Sequence, residues 1–520
     1  SEVIKSIRKN FNNNISLVFG CGGERDFKKR ALMAKIAKSY CKKIYVTDDN
    51  PRKENPAKIR KDIINNLNGA TYFNIGNRSQ AIKQAILNAE TDEVVLIAGK
   101  GHETYQDYGN KIIFTSDKKI IRNLKIKKIK IDKKKQNFGS NLKILNKITK
   151  NKKFYKFNGF ALDSREVKKN NLFLAIKGKN NDGNKFIEKA IKKGSSLIIS
   201  SKINKKYKNK ILKVDNEIAF LNKFASLKRD NSNAKIIAIT GSAGKTSVKN
   251  LLKDLLKIFG STYASPRSFN NHFGVPVSLS NLNIEHKYGV FEVGMSKTGE
   301  INRLSKMIKP NIGMITNIGE AHIENFKNIK GIAKAKSEIL NNIKMNGSII
   351  LNRDDKFFDY FNKKAKLKKI KIISFGMTKK ANIYPLKIKK LGDFKQIIIK
   401  IYGETIKLEI KNINIYNILS SLAVLKELNL DINKVIQAYK NFKPSDGRGK
   451  VHNIKRYKKN FVLIDESYNA NPLSVKNAIN NFSSIKKNKF KKYLILGDML
   501  ELGKNSDMYH KNLSRLINNS

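Results

Sequence analysis

The 520-residue sequence predicts an α/β protein of several modules, with a central parallel sheet flanked by smaller α/β domains. Three observations point there. At about 150 residues per domain the length allows three or four domains, each large enough to bury its own core. Short apolar runs alternate with amphipathic helical patterns along most of the chain. Near residue 240 a buried strand runs through a glycine turn into a long helix, as parallel α/β sheets require.

In chain order, ISLVFG, KIYVTDD and EVVLIAG within residues 14–104 read as strands. From Arg78 to Ala89, the residues Ala81, Ile82, Ala85, Ile86 and Ala89 fall on one helical face, so this part is a β/α module. Between Lys118 and Lys156 there are sixteen basic residues and one acid, Asp132, which reads as a solvated connector with room for one short helix. From about Phe154 a second module carries ALDSREVKKNNLFLAIKG and NDGNKFIEKAIKKGSSLIIS. A third opens near Lys235 with KIIAIT and continues through YGVFEVG, NIGMITNIG and GSIILN to about Phe442. After KPSDGRGK a fourth begins, with FVLID and YLILGDM as its expected strands. The chain starts at Ser1 and stops at Ser520 within or just after a helical pattern, and both ends read as cut.

Charge comes next. The balance of 106 Lys+Arg against 42 Asp+Glu gives +64, with 91 lysines and only 15 arginines. Such a charge first suggests nucleic acid. Base readout and bidentate phosphate gripping favour Arg, however, and here Lys is spread through every segment beside abundant Asn and Ile. A compositional bias is the simpler reading, with no nucleic-acid partner. No apolar run approaches the roughly 18 residues that span a bilayer, and no signal peptide opens the chain. Two cysteines, Cys21 and Cys41, make neither a disulfide framework nor a four-ligand zinc site. Together these predict a reduced, cytoplasmic protein without a membrane span.

The strongest chemical signal is ITGSAGKTSVK, Ile239 to Lys249. Gly241 and Gly244 let backbone N–H groups approach phosphate oxygens, Lys245 reaches β/γ oxygens, and Thr246 offers Mg²⁺ a hydroxyl. Ile239 stands where the usual phosphate-loop spacing has its first glycine. Glu292 ends one strand and His322 follows another, so both are expected at the carboxyl edge of the sheet, where open α/β folds bind ligands. A carboxylate suits Mg²⁺; a histidine is a less usual ligand for it. Lys336 lies in the helical pattern GIAKAKSEIL, and on sequence alone it is one lysine among 91.

With ALDSREV and NDGNKF, ITGSAGKTSVK, SFNNHFGVP, FEVGMSKTGEI, NIGEAHIENF with AKAKSEI, LNRDD, IDESYNANP and LGDMLELG in order from about residue 155 to 513, the chain resembles the Mur ligase family. These are ATP-dependent amide-forming enzymes of peptidoglycan precursor synthesis. Within the family, the motifs resemble in particular the branch that joins D-alanyl-D-alanine to UDP-N-acetylmuramoyl-tripeptide. The resemblance implies a multidomain architecture with a UDP-substrate domain at 154–232, a central P-loop ATP-binding domain at 233–443 and an incomplete C-terminal domain at 444–520. It also implies that ATP is bound by Gly241, Ser242, Ala243, Gly244, Lys245, Thr246 and Ser247, with Asn352 at the adenine and Asp465, Glu466 and Tyr468 where the last domain closes on the nucleotide. Thr246 and Glu292 would hold one Mg²⁺, His322 would help hold a second metal, and Lys336, at the position typically carbamylated in the family, would serve as a carboxylate-like metal ligand, with Lys245, Glu292, His322 and Lys336 as the catalytic set. Ser164 and Arg165 match the UDP-binding domain, and Asn270, Asn271 and His272 a muramoyl-substrate loop. The chain departs from the family pattern at Asn184, for a usual His; at Glu466, for a usual Asp; and at KNIN, 411–414, for a Gly-Arg-His-Asn type motif.

The N-terminal stretch 1–125, through VFGCGGERDFKKRALM, VTDDNPRKENP and IAGKGHETYQDYG, resembles the last domain of the meso-diaminopimelate-adding branch, with residues 126–153 as a Lys-rich linker. That implies contacts to diaminopimelate from Arg25, Asp49, Asn50, Arg52, Gly99 and Glu103. The expectation is a piece of a fusion of two consecutive ligases, which catalyses D-alanyl-D-alanine addition through an acyl phosphate. The alternatives are a physiological activity residing in the diaminopimelate-adding part, and a non-catalytic basic nucleic-acid-binding protein.

Overall fold

The computed structural model describes residues 2–4, 7, 15–89, 93–100, 103–123, 133–149, 157–178, 181–392, 394–411, 413–456, 459–483, 485 and 491–518. The chain forms two compact units, Ser1–Ile131 and Asp132–Ser520.

In the first unit a four-stranded parallel sheet has the order β3-β2-β1-β4, with β1 Ile15–Phe19, β2 Lys43–Val46, β3 Tyr72–Asn74 and β4 Val94–Ile97. Every residue of β1 is buried, as expected for a central parallel strand covered on both faces. Helices Lys28–Tyr40, Pro56–Ile64 and Arg78–Leu87 cross between the strands. Two of them start at Asn caps: Asn55 Oδ1 accepts from Ala57 N (2.9 Å) and Asn77 Oδ1 from Gln80 N (3.0 Å), which satisfies orphan donors of the first turn. Buried Arg30 is held by Glu54 (2.6 Å) and Asp62 (2.9 Å), and buried Arg78 by Asp117 (2.7 Å). An antiparallel hairpin of β5, Tyr105–Asp107, and β6, Ile112–Phe114, follows.

The second unit opens with a helix, Lys133–Thr149. Its Ile144 and Leu145 are buried beside Phe157, Phe160, Phe220 and Phe224, so the basic stretch is more than a solvated connector. Residues 124–132 and 150–156 of that stretch lie outside the described residues. A parallel sheet of order β10-β9-β8-β7 comes next, with β7 Gly159–Ala161, β8 Asn171–Leu174, β9 Leu197–Ser200 and β10 Ile211–Lys213.

The centre of this unit is a nine-stranded sheet of order β12-β13-β11-β14-β15-β16-β17-β18-β19. Its strands are β11 Lys235–Thr240, β12 Thr262–Ala264, β13 Tyr288–Glu292, β14 Ile312–Ile315, β15 Ser348–Asn352, β16 Lys371–Phe375, β17 Ile383–Leu391, β18 Phe394–Ile401 and β19 Glu404–Ile410. Pairing is parallel from β12 through β17 and antiparallel beyond. The chain leaves β11 toward β13 on one side and returns to β14 on the other. The carboxyl end of β11 is therefore a topological switch point, where loops part and open a crevice. Apolar residues of helix Lys245–Leu256, among them Leu251, Leu252 and Leu255, pack against one face with helix Ile415–Glu427. Ile301, Leu304, Ile332 and Ile339 cover the other.

The last part differs from the sequence expectation. FVLID does form a strand, but β21, Lys459–Asp465, pairs antiparallel with β20, Lys450–Arg456. YLILGDM forms no strand. No described strand lies alongside to complete a ladder, and Tyr493 and Ile495 are 77% and 92% exposed; an apolar run without a pairing edge has no hydrogen-bonding reason to extend. Among the described residues no helix is long and apolar enough to cross a membrane.

Two side chains give checks on this packing. Asn281 Oδ1 accepts from Phe160 N (2.9 Å) and its Nδ2 donates to Phe160 O (3.2 Å), which ties the end of helix Gly274–Ser280 to β7. Asn281→Ala strands a buried backbone donor, so urea denaturation should report a loss of about 1–3 kcal/mol. Lys228, 1% exposed, bonds Asn141 on helix Lys133–Thr149, and burial pushes its ammonium from 10.5 to about 8. Between those values the unfolded chain binds more protons than the folded one, so Lys228 makes stability rise with pH. Lys228→Met should lower that slope by up to about 1.4 kcal/mol per pH unit, measured by denaturant titration between pH 8 and 9.5.

Candidate active site

The strand β11 delivers the loop Gly241–Gly244 to the switch point. Gly241 has φ +147°, and a Cβ there would sit 1.9 Å from Thr316 Oγ1. Gly244, φ +83°, begins helix Lys245–Leu256. Only glycine fits the first position, since both the backbone conformation and the neighbouring strand end exclude a side chain. The end of β14 braces the loop: Ser242 N donates to Asn317 O (3.0 Å), Ala243 N to Asn317 Oδ1 (2.8 Å) and Thr316 Oγ1 to Ala243 O (2.6 Å). Lys245 Nζ donates to Gly241 O (2.7 Å), and burial holds its ammonium below the usual lysine range against the opposing pull of Glu292.

Glu292, 1% exposed, stands at the end of β13 beside this loop. Its Oε2 accepts from Thr246 Oγ1 (2.8 Å) and its Oε1 from Asn270 Nδ2 (2.8 Å). Lys249 Nζ lies 3.7 Å from Oε2. Glu292, Thr246 and Asn270 line a cavity of about 370 Å³ together with Lys245, Asn271, His272, His322, Lys336, Arg448 and Tyr468. Lys336, on helix Ile329–Lys336, is 2% exposed. Burial, with the like charge of Lys245, pushes its ammonium well below the lysine range. Burial likewise draws His322 below the ordinary histidine value, with Glu501 opposing.

A second cavity of about 830 Å³ shares Ala243, Gly244 and Arg448 with the first and adds Ser247, Asn317, Asn352, Asp354, Asp355, Asn417 and Glu466. Asn352 Nδ2 donates to Thr316 O (3.3 Å) at its wall. Arg448 joins the two spaces: its guanidinium stacks over the Tyr468 ring at 4.3 Å, and Nη2 reaches Thr246 Oγ1 at 3.4 Å. Glu466 sits in the larger cavity, its carboxyl raised by burial with Arg448 opposing.

Other expected residues lie elsewhere. Asp465 lines neither cavity; it accepts from Gly447 N (2.9 Å) and Ser467 Oγ (2.6 Å) and braces the turns around them. Ser164 is buried in the second module, and Arg165 is exposed and paired with its neighbour Asp163 (2.7 Å). Neither lines the two cavities. Asn184 is used internally, accepting from Ser200 Oγ (2.7 Å) and donating to Asp182 Oδ1 (2.7 Å). In the KNIN segment, Asn414 caps helix Ile415–Glu427 through Tyr416 N (2.9 Å), and Asn412 lies outside the described residues.

In the first unit the N-terminal set gathers in one patch. Asn50 Nδ2 donates to Glu103 Oε2 (2.8 Å), and buried Lys100 bonds Asn50 Oδ1 (3.0 Å) and Glu103 (3.3 Å). Arg52 Nη1 donates to Gly23 O (2.6 Å). A Cβ on Gly22 would lie 3.4 Å from Arg52 and 3.6 Å from Arg25, and one on Gly99 2.9 Å from Asp49. Burial raises the Asp49 carboxyl.

Three residues at the site in the second unit went unassigned in the sequence. Lys249 stands four positions after Lys245, one helical turn on, which is the signal that places it on the same face. Arg448 lies within the glycine-rich KPSDGRGK, and Asn317 follows β14.

Comparison with known proteins fits this geometry. Residues 239–425 match the Mur ligase middle domain, residues 156–229 the Mur ligase family catalytic domain, and residues 1–101 the Mur ligase glutamate ligase domain. The UDP-N-acetylmuramoyl-tripeptide–D-alanyl-D-alanine ligase of Rickettsia prowazekii is 37% identical over 361 residues, 68% of this chain and 79% of that protein. The ligase of the same name from Buchnera aphidicola subsp. Baizongia pistaciae is 34% identical over 364 residues, covering 69% and 77%. Among solved structures, MurF from Acinetobacter baumannii aligns with a TM-score of 0.63 at 27% identity over 72% of this chain and 82% of that one. MurF from Thermotoga maritima in complex with ADP aligns at 0.59 and 26% identity, over 69% and 82%. On sequence and structure alike, the chain belongs to the Mur ligase family.

Proposed function

We propose that the second unit joins D-alanyl-D-alanine to UDP-N-acetylmuramoyl-tripeptide at the expense of ATP. The observation that carries this reading is the convergence of the phosphate loop, Glu292, His322 and Lys336 on one cavity, beside a larger one reaching Asn352. The larger cavity suits the nucleoside, with Asn352 at the base. Lys245, released from Gly241 O, would meet the β/γ phosphates, and Arg448 stands between the nucleotide and the reacting end. Asn270, Asn271 and His272 border the smaller cavity where the muramoyl peptide carboxylate would arrive. Ser164 and Arg165 are assigned to the uridine nucleotide by resemblance.

A carboxylate is a poor electrophile at neutral pH. In the proposed reaction its oxygen attacks the γ-phosphorus and ADP leaves, giving an acyl phosphate. The dipeptide amine then attacks the acyl carbon, phosphate leaves with the former carboxylate oxygen, and the amine gives up a proton. Little covalent work falls to the protein, so positioning and charge stabilisation dominate.

Mg²⁺ fits the residues present. Among the described residues no three His, Cys, Asp or Glu converge as a protein-only cage. Glu292 is a buried carboxylate whose partners are two neutral donors and one lysine at 3.7 Å, a hard-oxygen site suited to a divalent cation. Thr246 and Glu292 would hold one Mg²⁺, and His322 with carbamylated Lys336 a second, and these would supply charge neutralisation on the transferred phosphoryl. Carbamylation is favoured at Lys336 because burial and the like charge of Lys245 shift the amine toward its neutral, nucleophilic form. The amine adds to CO₂ and loses a proton, and the resulting carboxylate turns repulsion from Lys245 into attraction.

In the first unit, the patch around Asn50 favours a second reading, a meso-diaminopimelate site of a fused ligase. Arg25 and Arg52 would pair the distal carboxylate, and Glu103, with Asn50 and Asp49, the ammonium.

Supplied with UDP-N-acetylmuramoyl-tripeptide, D-alanyl-D-alanine, ATP and Mg²⁺, the protein should form the pentapeptide product, followed by mass spectrometry. Lys245→Ala should lower the rate at least about 100-fold with unchanged thermal unfolding; no product from the unsubstituted protein overturns the assignment. In ¹³C-bicarbonate the protein should show a carbamate carbon by NMR. Lys336→Arg keeps a long basic side chain that cannot carry the group, so it should lose that signal along with pentapeptide formation.

A further inference from the structure

The turn Leu500–Gly503 sits directly on the segment that carries His322. His322 Nδ1 lies against the Glu501 carboxylate. Glu324 N donates to Glu501 O (3.3 Å), and a Cβ on Gly503 would meet Glu324 Cα at 3.2 Å. Ile323 packs on the cluster formed by Ile479, Met499, Leu502 and Leu513. The turn is itself fixed from behind. His510 Nε2 accepts from Met499 N (3.0 Å) while Nδ1 donates to Ser506 O (2.9 Å). His322 needs such support, because its φ of +59° is a left-handed conformation that costs free energy in a non-glycine residue.

We propose that Glu501 is a positioning residue for His322, and that seating of the Leu500–Gly503 turn completes the cation site. Glu501 lies against Nδ1, which makes no other hydrogen bond among the described residues; with the ring turned so that Nδ1–H points at this carboxylate, Glu501 takes the proton's hydrogen bond, fixes the tautomer and leaves Nε2 for a cation in the cavity that His322 lines. A carboxylate behind a ligating imidazole orients the ring and raises its basicity. Here the carboxylate comes from the part of the chain after the 444–449 loop, so His322 is aligned only when that part is docked. The inference rests on the reading of His322 as a metal ligand.

The full-length chain, metal-free and ¹⁵N-labelled at histidine, tests it first. The His322 resonance, assigned by its loss in His322→Asn, should report the Nδ1–H tautomer, and in Glu501→Ala it should move to the Nε2–H form. An Nε2–H tautomer in the unsubstituted protein overturns the proposal regardless of metal. The second measurement is Mn²⁺ titration by EPR with a non-hydrolysable ATP analogue. Two classes of bound Mn²⁺ are expected, and Glu501→Ala should weaken one of them about 10–100-fold. Glu501→Gln, whose amide oxygen still accepts, should restore most of that affinity, and Asp507→Asn, which removes an exposed acid nearby, should leave both classes unchanged. A single class in the unsubstituted protein overturns the ligand reading and this inference with it. Two classes indifferent to Glu501→Ala overturn this inference alone.

Discussion

Burial of one carboxylate, Glu292, is the constraint around which the second unit is arranged. A lone buried carboxylate is costly, and it persists only where hydrogen bonds and a counter-charge offset desolvation. Thr246 and Asn270 supply the hydrogen bonds, and Lys249 the charge. They come from two segments: Thr246 and Lys249 from successive turns of helix Lys245–Leu256, and Asn270 from the 268–272 loop. Satisfying Glu292 therefore fixes the Gly241–Gly244 loop and its helix against the 268–272 loop, so the contacts that stabilise the fold also shape the cavity.

The sheet explains why these segments meet. Parallel pairing of β11 with β13 and with β14 puts Thr240, Glu292 and Ile315 at one edge, and the reversal of strand order opens the crevice there. Gly241 then brings the loop so close to Thr316 that no side chain fits between them. Asn317, one residue further on, makes three bonds with the loop backbone. The phosphate loop is thus shaped by its neighbour strand as much as by its own glycines, which accounts for its tolerance of Ile239 at the usual first-glycine position.

Local pattern made most of this legible. Continuous apolar runs such as KIIAIT and YGVFEV identify buried parallel strands, and the ends of those runs are enough to place Glu292 and His322 at the ligand edge. What pattern does not carry is pairing across distance. FVLID reads as a strand, yet its partner, β20, is a polar run, KVHNIKR, with no apolar signature. YLILGDM has the composition of a strand and no described strand beside it. Asp465 shares a motif with Glu466 but points its oxygens into turn backbone instead of a cavity. Lys249 was hidden for a different reason. In a chain with 91 lysines a functional cation has no compositional contrast, and only burial singles it out.

That last point changes the meaning of the charge. Cations spread over a solvated surface are screened within about a Debye length of roughly 10 Å at 0.1 M salt, and at their exposed positions they contribute little. Lys245 and Lys336 instead line one cavity and Lys249 lies beside Glu292, and burial lowers all three. The like charge of Lys245 adds to the lowering of Lys336, a repulsion that an anion placed between the two relieves. The polyanionic reactants of an ATP-dependent ligase are such anions, so the match between protein and reactants lies in this pair and not in the net charge of +64.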